Sequence, residues 1–196
     1  MCSTDDPDIA RIAADMRCPV IQRPKELAED ATPMKLVIEH AVSSLELPQG
    51  YRPEVAVLLQ PTSPLRTSRD IDCAVQMLID FKADSVVSVS PVPGHFHPDW
   101  QFRLSADNSL SLWGGEPLSE IVPRRQDLTS SYTRNGAVYA FRVANILESG
   151  SIYGRRCLGY VMNAEDSVNI DAEIDFILAE RRITELKNTS VAEANH

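Results

Sequence analysis

Val55-Ala56-Val57-Leu58-Leu59, running directly into Gln60-Pro61-Thr62-Ser63-Pro64-Leu65-Arg66, is the stretch whose reading decides the fold. An unbroken apolar run without alternation reads as a strand buried on both faces, the pattern of a sheet covered by helices. The loop after it is polar and stiffened by prolines. Ser68 can cap the helix beyond, whose apolar positions Ile71, Val75, Leu78 and Ile79 follow a helical period. Ligands of open α/β sheets bind at the carboxyl ends of the strands, so Gln60 and Ser63 stand where a base or sugar would be read. An ordinary strand-to-helix turn, with prolines that merely fix the backbone, explains the same residues equally well.

Working outward, residues 8–16 space their apolar side chains for a short amphipathic helix, and 18–22 reads as extended. A second helix is expected over 34–45, entered through Thr32-Pro33 and broken by Pro48, Gly50 and Pro53. Val86-Val87-Ser88-Val89 is another buried strand. This alternation of helix and strand favours a parallel sheet. From 91 to 134 the texture changes to Pro, Gly, Trp, Asn and Ser. The runs 100–104 and 109–113 look like hairpin strands, so this stretch reads as an excursion from the main sheet. Core-strand character returns at 137–141 and 158–162. A last helix is expected over 172–186, with Ile174, Ile177, Leu178 and Ile183 on its inner face, and a polar tail at 189–196 is expected to fray. Residues 1–188 then form a single domain.

The 196 residues, 43% of them hydrophobic, suit one compact domain with a real core. No apolar run approaches the ~20 residues that span a bilayer, and Met1-Cys2-Ser3-Thr4-Asp5-Asp6 does not read as a signal peptide. The net charge of −9 comes without a basic stripe, which argues against a nucleic-acid partner and for a small molecule. Cys2, Cys18, Cys73 and Cys157 lie far apart, which fits a reducing cytoplasm better than zinc or a disulfide framework. His95 and His97 can share one face of a strand, yet a zinc site needs further ligands.

Two further constellations carry polar chemistry. In Arg134-Asn135-Gly136-Ala137-Val138-Tyr139, Asn135 can hydrogen-bond a ligand and Gly136 permits close backbone approach; a turn that starts a strand is the plainer alternative. In Ser167-Val168-Asn169-Ile170-Asp171-Ala172-Glu173-Ile174-Asp175, alternation puts Asn169 and Asp171 on one face. A carboxylate beside an amide oxygen is a reasonable magnesium site when nucleotide phosphates supply the other ligands. Capping and dipole effects of about 0.3–1 kcal/mol each also favour Asp171 and Asp175 at a helix start, and taken alone they are the stronger explanation.

Taken together, these motifs resemble the acylneuraminate cytidylyltransferase family. Ser3-Thr4-Asp5 resembles the family's STD turn. Arg23-Pro24 followed by Leu27-Ala28-Glu29-Asp30-Ala31-Thr32-Pro33 is similar to its RPxxLAxDxTP segment. The loop 60–66, Ala83-Asp84-Ser85-Val86-Val87-Ser88-Val89, and the two constellations above match in the family's order, so the resemblance covers 3 to about 180.

The resemblance implies an α/β, Rossmann-like nucleotide-diphospho-sugar transferase fold with a mostly parallel sheet and a dimerisation excursion at 91–134. It implies a cytoplasmic, homodimeric enzyme that joins CTP to a sialic acid or related nonulosonic acid over Mg²⁺ and releases pyrophosphate. Arg23, Asp30 and Thr32 would face the nucleotide. Gln60 would contact the sugar, with Ser63 and Arg66 shaping the loop. Arg125 would pair with the sugar carboxylate, an anion its planar fork suits. Asn135 and Tyr139 would line the sugar pocket, and Asp171 with Asn169 would hold the metal. Asn169 stands where many relatives carry a second aspartate, one negative charge fewer for the ion.

The family's glycine- and lysine-rich phosphate loop does not occur in this sequence. The fold is therefore expected to lack its first βαβ unit, and the chain as given is expected to turn CTP over poorly. The alternatives are a catalytically inactive, truncated homologue acting as a sugar-binding or dimer-partner module, and an unrelated α/β protein with other metal chemistry.

Overall fold

Asp6 starts the first helix. In the computed structural model, which describes residues 1–46 and 53–194, its carboxylate accepts from the backbone N–H groups of Asp8 (2.8 Å) and Ile9 (3.0 Å). Helix α1 (Pro7–Asp15) follows with proline in its first turn, where a missing N–H costs nothing. It is flanked by β1 (Cys2–Thr4) and β2 (Val20–Gln22), which pair in parallel with Cys2 opposite Val20. The remaining order is α2 (Met34–Glu46), β3 (Val55–Leu58), α3 (Ser68–Asp80), β4 (Ser85–Pro91), β5 (Phe102–Leu104), β6 (Leu110–Leu112), β7 (Tyr132–Arg142), α4 (Val143–Ser149), β8 (Cys157–Val161) and α5 (Glu173–Ala194). The expected helix breakers Pro48 and Gly50 lie outside the described residues.

Helices and strands thus alternate as expected, and the class is α/β. The four-stranded sheet has the order β3-β7-β4-β8. β7 runs antiparallel to β3, with Leu58 opposite Tyr139 and Val55 opposite Arg142. That direction follows from its approach: β7 returns from the irregular excursion instead of from a helical crossover. The excursion leaves after Pro91 and returns at Tyr132, and Val92 N–H donates to Ser131 O (2.9 Å) at its base. Within it, β5 and β6 form the expected hairpin, with Phe102 opposite Leu112.

Several local expectations change. Thr67, not Ser68, caps α3: its hydroxyl accepts from Asp70 N–H while the Asp70 carboxylate accepts from Thr67 N–H (2.7 Å), the reciprocal pattern of a capping box. Residues 134–136 are not a turn before a strand but part of β7 itself. Helix α5 continues to Ala194 instead of ending at 186; no Gly or Pro follows Lys187 to stop it. His95 sits in a 3-10 turn, not on a strand. His97 is buried, with Nε2 2.7 Å from Thr129 O and Nδ1 accepting from Asp99 N–H (3.2 Å), so both nitrogens serve the excursion. No described helix is long and apolar enough to cross a membrane.

The chain divides into two compact units, 1–58 with 75–86 and 139–158, and 59–74 with 87–138 and 159–196. The first has an apolar core of Ile38, Val42, Phe141, Val143 and Ile146, against which Ala56, Leu58 and Ile152 pack. Its polar anchor is Asp84. The carboxylate accepts from the N–H groups of Arg156 (2.8 Å) and Arg155 (2.9 Å), which hold its carboxyl below the usual range. Gly154 lies against it at φ +66, where a Cβ would come within 2.3 Å of the Asp84 Cβ. Strain from the left-handed conformation and the clash add, so Gly154→Ala is expected to cost about 2–3 kcal/mol. Denaturant unfolding checks this; a loss under about 0.5 kcal/mol, the range of an ordinary surface change, would contradict it.

Candidate functional site

The polar groups singled out in the 60–66 loop, at Asn135-Gly136 and in 167–171 fall in the second unit, and three of them, Gln60, Ser63 and Asn169, meet around Gly136. Gly136 has φ +76 in the middle of β7, a conformation that glycine alone adopts readily. A Cβ there would lie 2.5 Å from Gln60 Oε1, 3.0 Å from Ser63 Oγ and 3.5 Å from Asn169 Oδ1. The missing side chain is what lets these three polar groups converge. The loops are also fastened directly, because Ile170 N–H donates to Thr62 O (2.8 Å).

The 60–66 loop is held by its own arginine. Arg66 Nη1 donates to Gln60 O (2.8 Å) and Ala137 O (3.0 Å), and burial pushes its pKa down from the ordinary value. Arg66 therefore shapes the loop, as expected. Ser63 is 3% exposed and its hydroxyl donates to Asn135 O (3.1 Å), so it braces the loop and offers no free group to a ligand. Asn135, expected to line the sugar pocket, has its amide engaged within the protein. At 5% exposure, its Oδ1 accepts from Ser88 Oγ and Ala137 N–H, and its Nδ2 donates to Ser167 Oγ and Met162 Sδ.

The two aspartates at the start of α5 have different tasks. Asp175 Oδ2 accepts from the N–H groups of Ala172 (2.9 Å) and Asp171 (3.0 Å); it caps the helix. Asp171 does not cap. Its exposed carboxylate accepts from Asn169 Nδ2 (2.7 Å), which leaves Asn169 Oδ1 buried without a hydrogen-bond partner. An orphaned buried carbonyl costs on the order of 1–3 kcal/mol, a loss that a cation would reverse. A carboxylate and an amide oxygen on alternate residues are the hard donors Mg²⁺ takes, and that ion draws its other ligands from phosphates and water. The donor types suit the ion, but Nδ2 is the Asn169 atom that faces Asp171, so Oδ1 joins the carboxylate at one ion only when the amide turns over. Among the described residues, no cluster of three or more His, Cys, Asp or Glu side chains could hold a metal unaided.

Arg125 lies on the 3-10 turn Arg125–Asp127 of the same unit, exposed, with its stem against Gly94, where a Cβ would sit 3.0 Å from Arg125 Nε. The neighbouring Asp127 carboxylate is taken by Arg124 (2.7 and 3.1 Å). The other expected site residues belong to the first unit. Arg23 donates from Nε to Ser3 Oγ (3.2 Å) and from Nη2 to Ser3 O, tying β2 to β1. Thr32 Oγ1 donates to Glu26 O (3.3 Å), Asp30 is exposed, and Tyr139 is 4% exposed within β7. The sequence reading missed the bracing residues Ser88 and Ser167. Ser88 interrupts an otherwise apolar strand, Val86-Val87-Ser88-Val89, and a polar residue inside such a run was the available signal.

No protein-family model matches the chain. An N-acylneuraminate cytidylyltransferase of Streptococcus agalactiae serotype V is 31% identical over 176 residues, 89% of this chain and 40% of that protein. N-acylneuraminate cytidylyltransferase A of Danio rerio is 31% identical over 183 residues, 92% of this chain and 40% of that protein. The flagellin modification protein B of Campylobacter coli is 25% identical over 184 residues, 93% of this chain and 76% of that protein. The chain thus spans 40% of the length of the first curated relatives. Among solved structures, a CMP:2-keto-3-deoxy-manno-octonic acid synthetase complexed with CTP superimposes with a TM-score of 0.57 at 13% identity, covering 95% of this chain and 80% of that one. The chain shares the α/β fold of that structure, with the β3-β7 and β5-β6 pairs antiparallel, and the motif resemblance is matched by similarity along about nine-tenths of the chain.

Proposed function

Starting from its relation to the N-acylneuraminate cytidylyltransferases, we propose that the chain supplies the sugar- and metal-handling side of a CTP-dependent nucleotidyltransferase whose acceptor is a nonulosonic acid. The observation that carries this reading is the convergence on Gly136 of Gln60 and Asn169, from motifs more than a hundred residues apart, with the Asp171 carboxylate hydrogen-bonded to Asn169. In the reaction the anomeric oxygen of the sugar bonds to the α-phosphorus of CTP. The bond from that phosphorus to the β-phosphate oxygen breaks, pyrophosphate leaves with its electron pair, and the hydroxyl proton passes to solvent.

Gln60 holds the sugar through its amide, and Arg125, with an exposed guanidinium, pairs with the sugar carboxylate. Asp171 and Asn169 Oδ1 would hold Mg²⁺, which when bound offsets charge on the phosphates. Arg23, Asp30, Thr32 and Tyr139 are assigned to substrate by resemblance alone. A homodimer built on the excursion and a cytoplasmic setting belong to the same reading.

Calorimetric titration of the chain with a CMP-activated nonulosonic acid tests it. Saturable binding that requires Mg²⁺ is expected, weakened about tenfold in Gln60→Ala, the effect of one lost hydrogen bond of about 1.4 kcal/mol. Absence of binding across a panel of sialic, legionaminic and pseudaminic derivatives overturns it. Binding without pyrophosphate release from CTP and the free acid would favour a sugar-binding module instead.

A further inference from the structure

We propose that Asn135 is a positioning residue that touches no ligand. On this proposal, which rests on the site reading above, its amide, with Ser88 and Ser167, and its backbone carbonyl, with Ser63, form a buried strut that sets the spacing between the 60–66 and 163–171 loops.

An asparagine side chain has two acceptor positions and two N–H donors. Asn135 uses all four inside the protein. Its Oδ1 accepts from Ser88 Oγ (2.6 Å) and Ala137 N–H (3.2 Å), and its Nδ2 donates to Ser167 Oγ (2.9 Å) and Met162 Sδ (3.3 Å). The chain of bonds continues at both ends. Ser88 Oγ accepts from Val138 N–H (2.7 Å), and Ser167 Oγ donates to Asn163 O (2.6 Å). Through its backbone carbonyl Asn135 also receives the Ser63 hydroxyl. One residue therefore fixes the loop that carries Gln60 and the loop that carries Asn169 and Asp171, and it does so from the strand position next to Gly136. Polar groups at these burials are retained only when fully paired, and a fully paired network is rigid. A ligand bond to Asn135 would require breaking one of the four.

Two measurements on the whole chain test this. In hydrogen exchange read by mass spectrometry, without any ligand, Ser167→Ala is expected to speed amide exchange about tenfold in both loops, since the hydroxyl's bonds to Asn135 and Asn163 are both lost. Ser167→Thr keeps the hydroxyl and is expected to exchange like the parent. No change in either loop, or a change confined to 163–171, overturns the strut. In the titration above, Ser167→Ala is expected to weaken binding of the CMP-activated acid several-fold, with Ser167→Thr binding like the parent. Loss of binding in Asn135→Ala with full binding in Ser167→Ala would make Asn135 a direct contact and overturn the proposal. If the parent chain binds no sugar derivative, the site reading falls while hydrogen exchange still decides the strut.

Discussion

Asp171→Ala is expected to weaken Mg²⁺-dependent binding of the CMP-activated acid by about 10²–10³-fold, equal to about 3–4 kcal/mol, while the fold stays intact. Both halves of that expectation come from the geometry. The cap of α5 is made by Asp175, whose Oδ2 takes the N–H groups of Ala172 and Asp171, so truncating Asp171 leaves the helix start bonded. Its own carboxylate is exposed and holds only the Asn169 amide, so unfolding stability should stay within about 0.5 kcal/mol of the parent. What binding remains should no longer depend on Mg²⁺. Mg²⁺-dependent affinity within threefold of the parent would remove this carboxylate from the proposed metal site. Asp175→Ala is the opposite case, costing roughly 1 kcal/mol of stability through the lost cap.

Gly136→Ala is expected to be the most damaging single methyl in the second unit. The left-handed conformation costs an alanine about 1–2 kcal/mol, and the new carbon would lie 2.5 Å from Gln60 Oε1 and 3.0 Å from Ser63 Oγ. Gln60 can swing its amide away, but Ser63 is short and already bonded to Asn135 O. Stability should fall by about 2–3 kcal/mol, and binding of the CMP-activated acid should be lost with it because the Gln60 amide is displaced. Gly154→Ala provides the contrast. It strains the backbone similarly, but its clash is with Asp84, so it should destabilise the chain without changing sugar affinity in the folded fraction. Equal sugar affinity in Gly136→Ala and the parent would break the link between this glycine and the site.

Much of the architecture was legible because it is written in local pattern. The strand at 55–58, the helix after Ser68 and the hairpin around 102 and 111 formed where local period placed them, but burial did not follow: β3 is half-buried with Leu59 exposed, and Ile174, Ile177 and Leu178, expected on the inner face of α5, are exposed. The motif order was also legible, because it lies along the chain. Neighbouring residues of one type were not separable in this way. Asp171 and Asp175 look alike at a helix start, and only the fold gives one the cap and leaves the other facing solvent.

The sequence by itself determined which segments are strands and helices and which family pattern they follow. Tertiary structure alone decided that β7 runs antiparallel to β3, that Gly136 lies inside a strand, and that Asn135 spends its whole amide on Ser88, Met162, Ala137 and Ser167. The physical reason is the range of the forces involved. Periodicity and capping act within one or two turns of the chain, whereas three of this amide's four partners lie 27 to 47 residues away, and only the packed core can bring those to it.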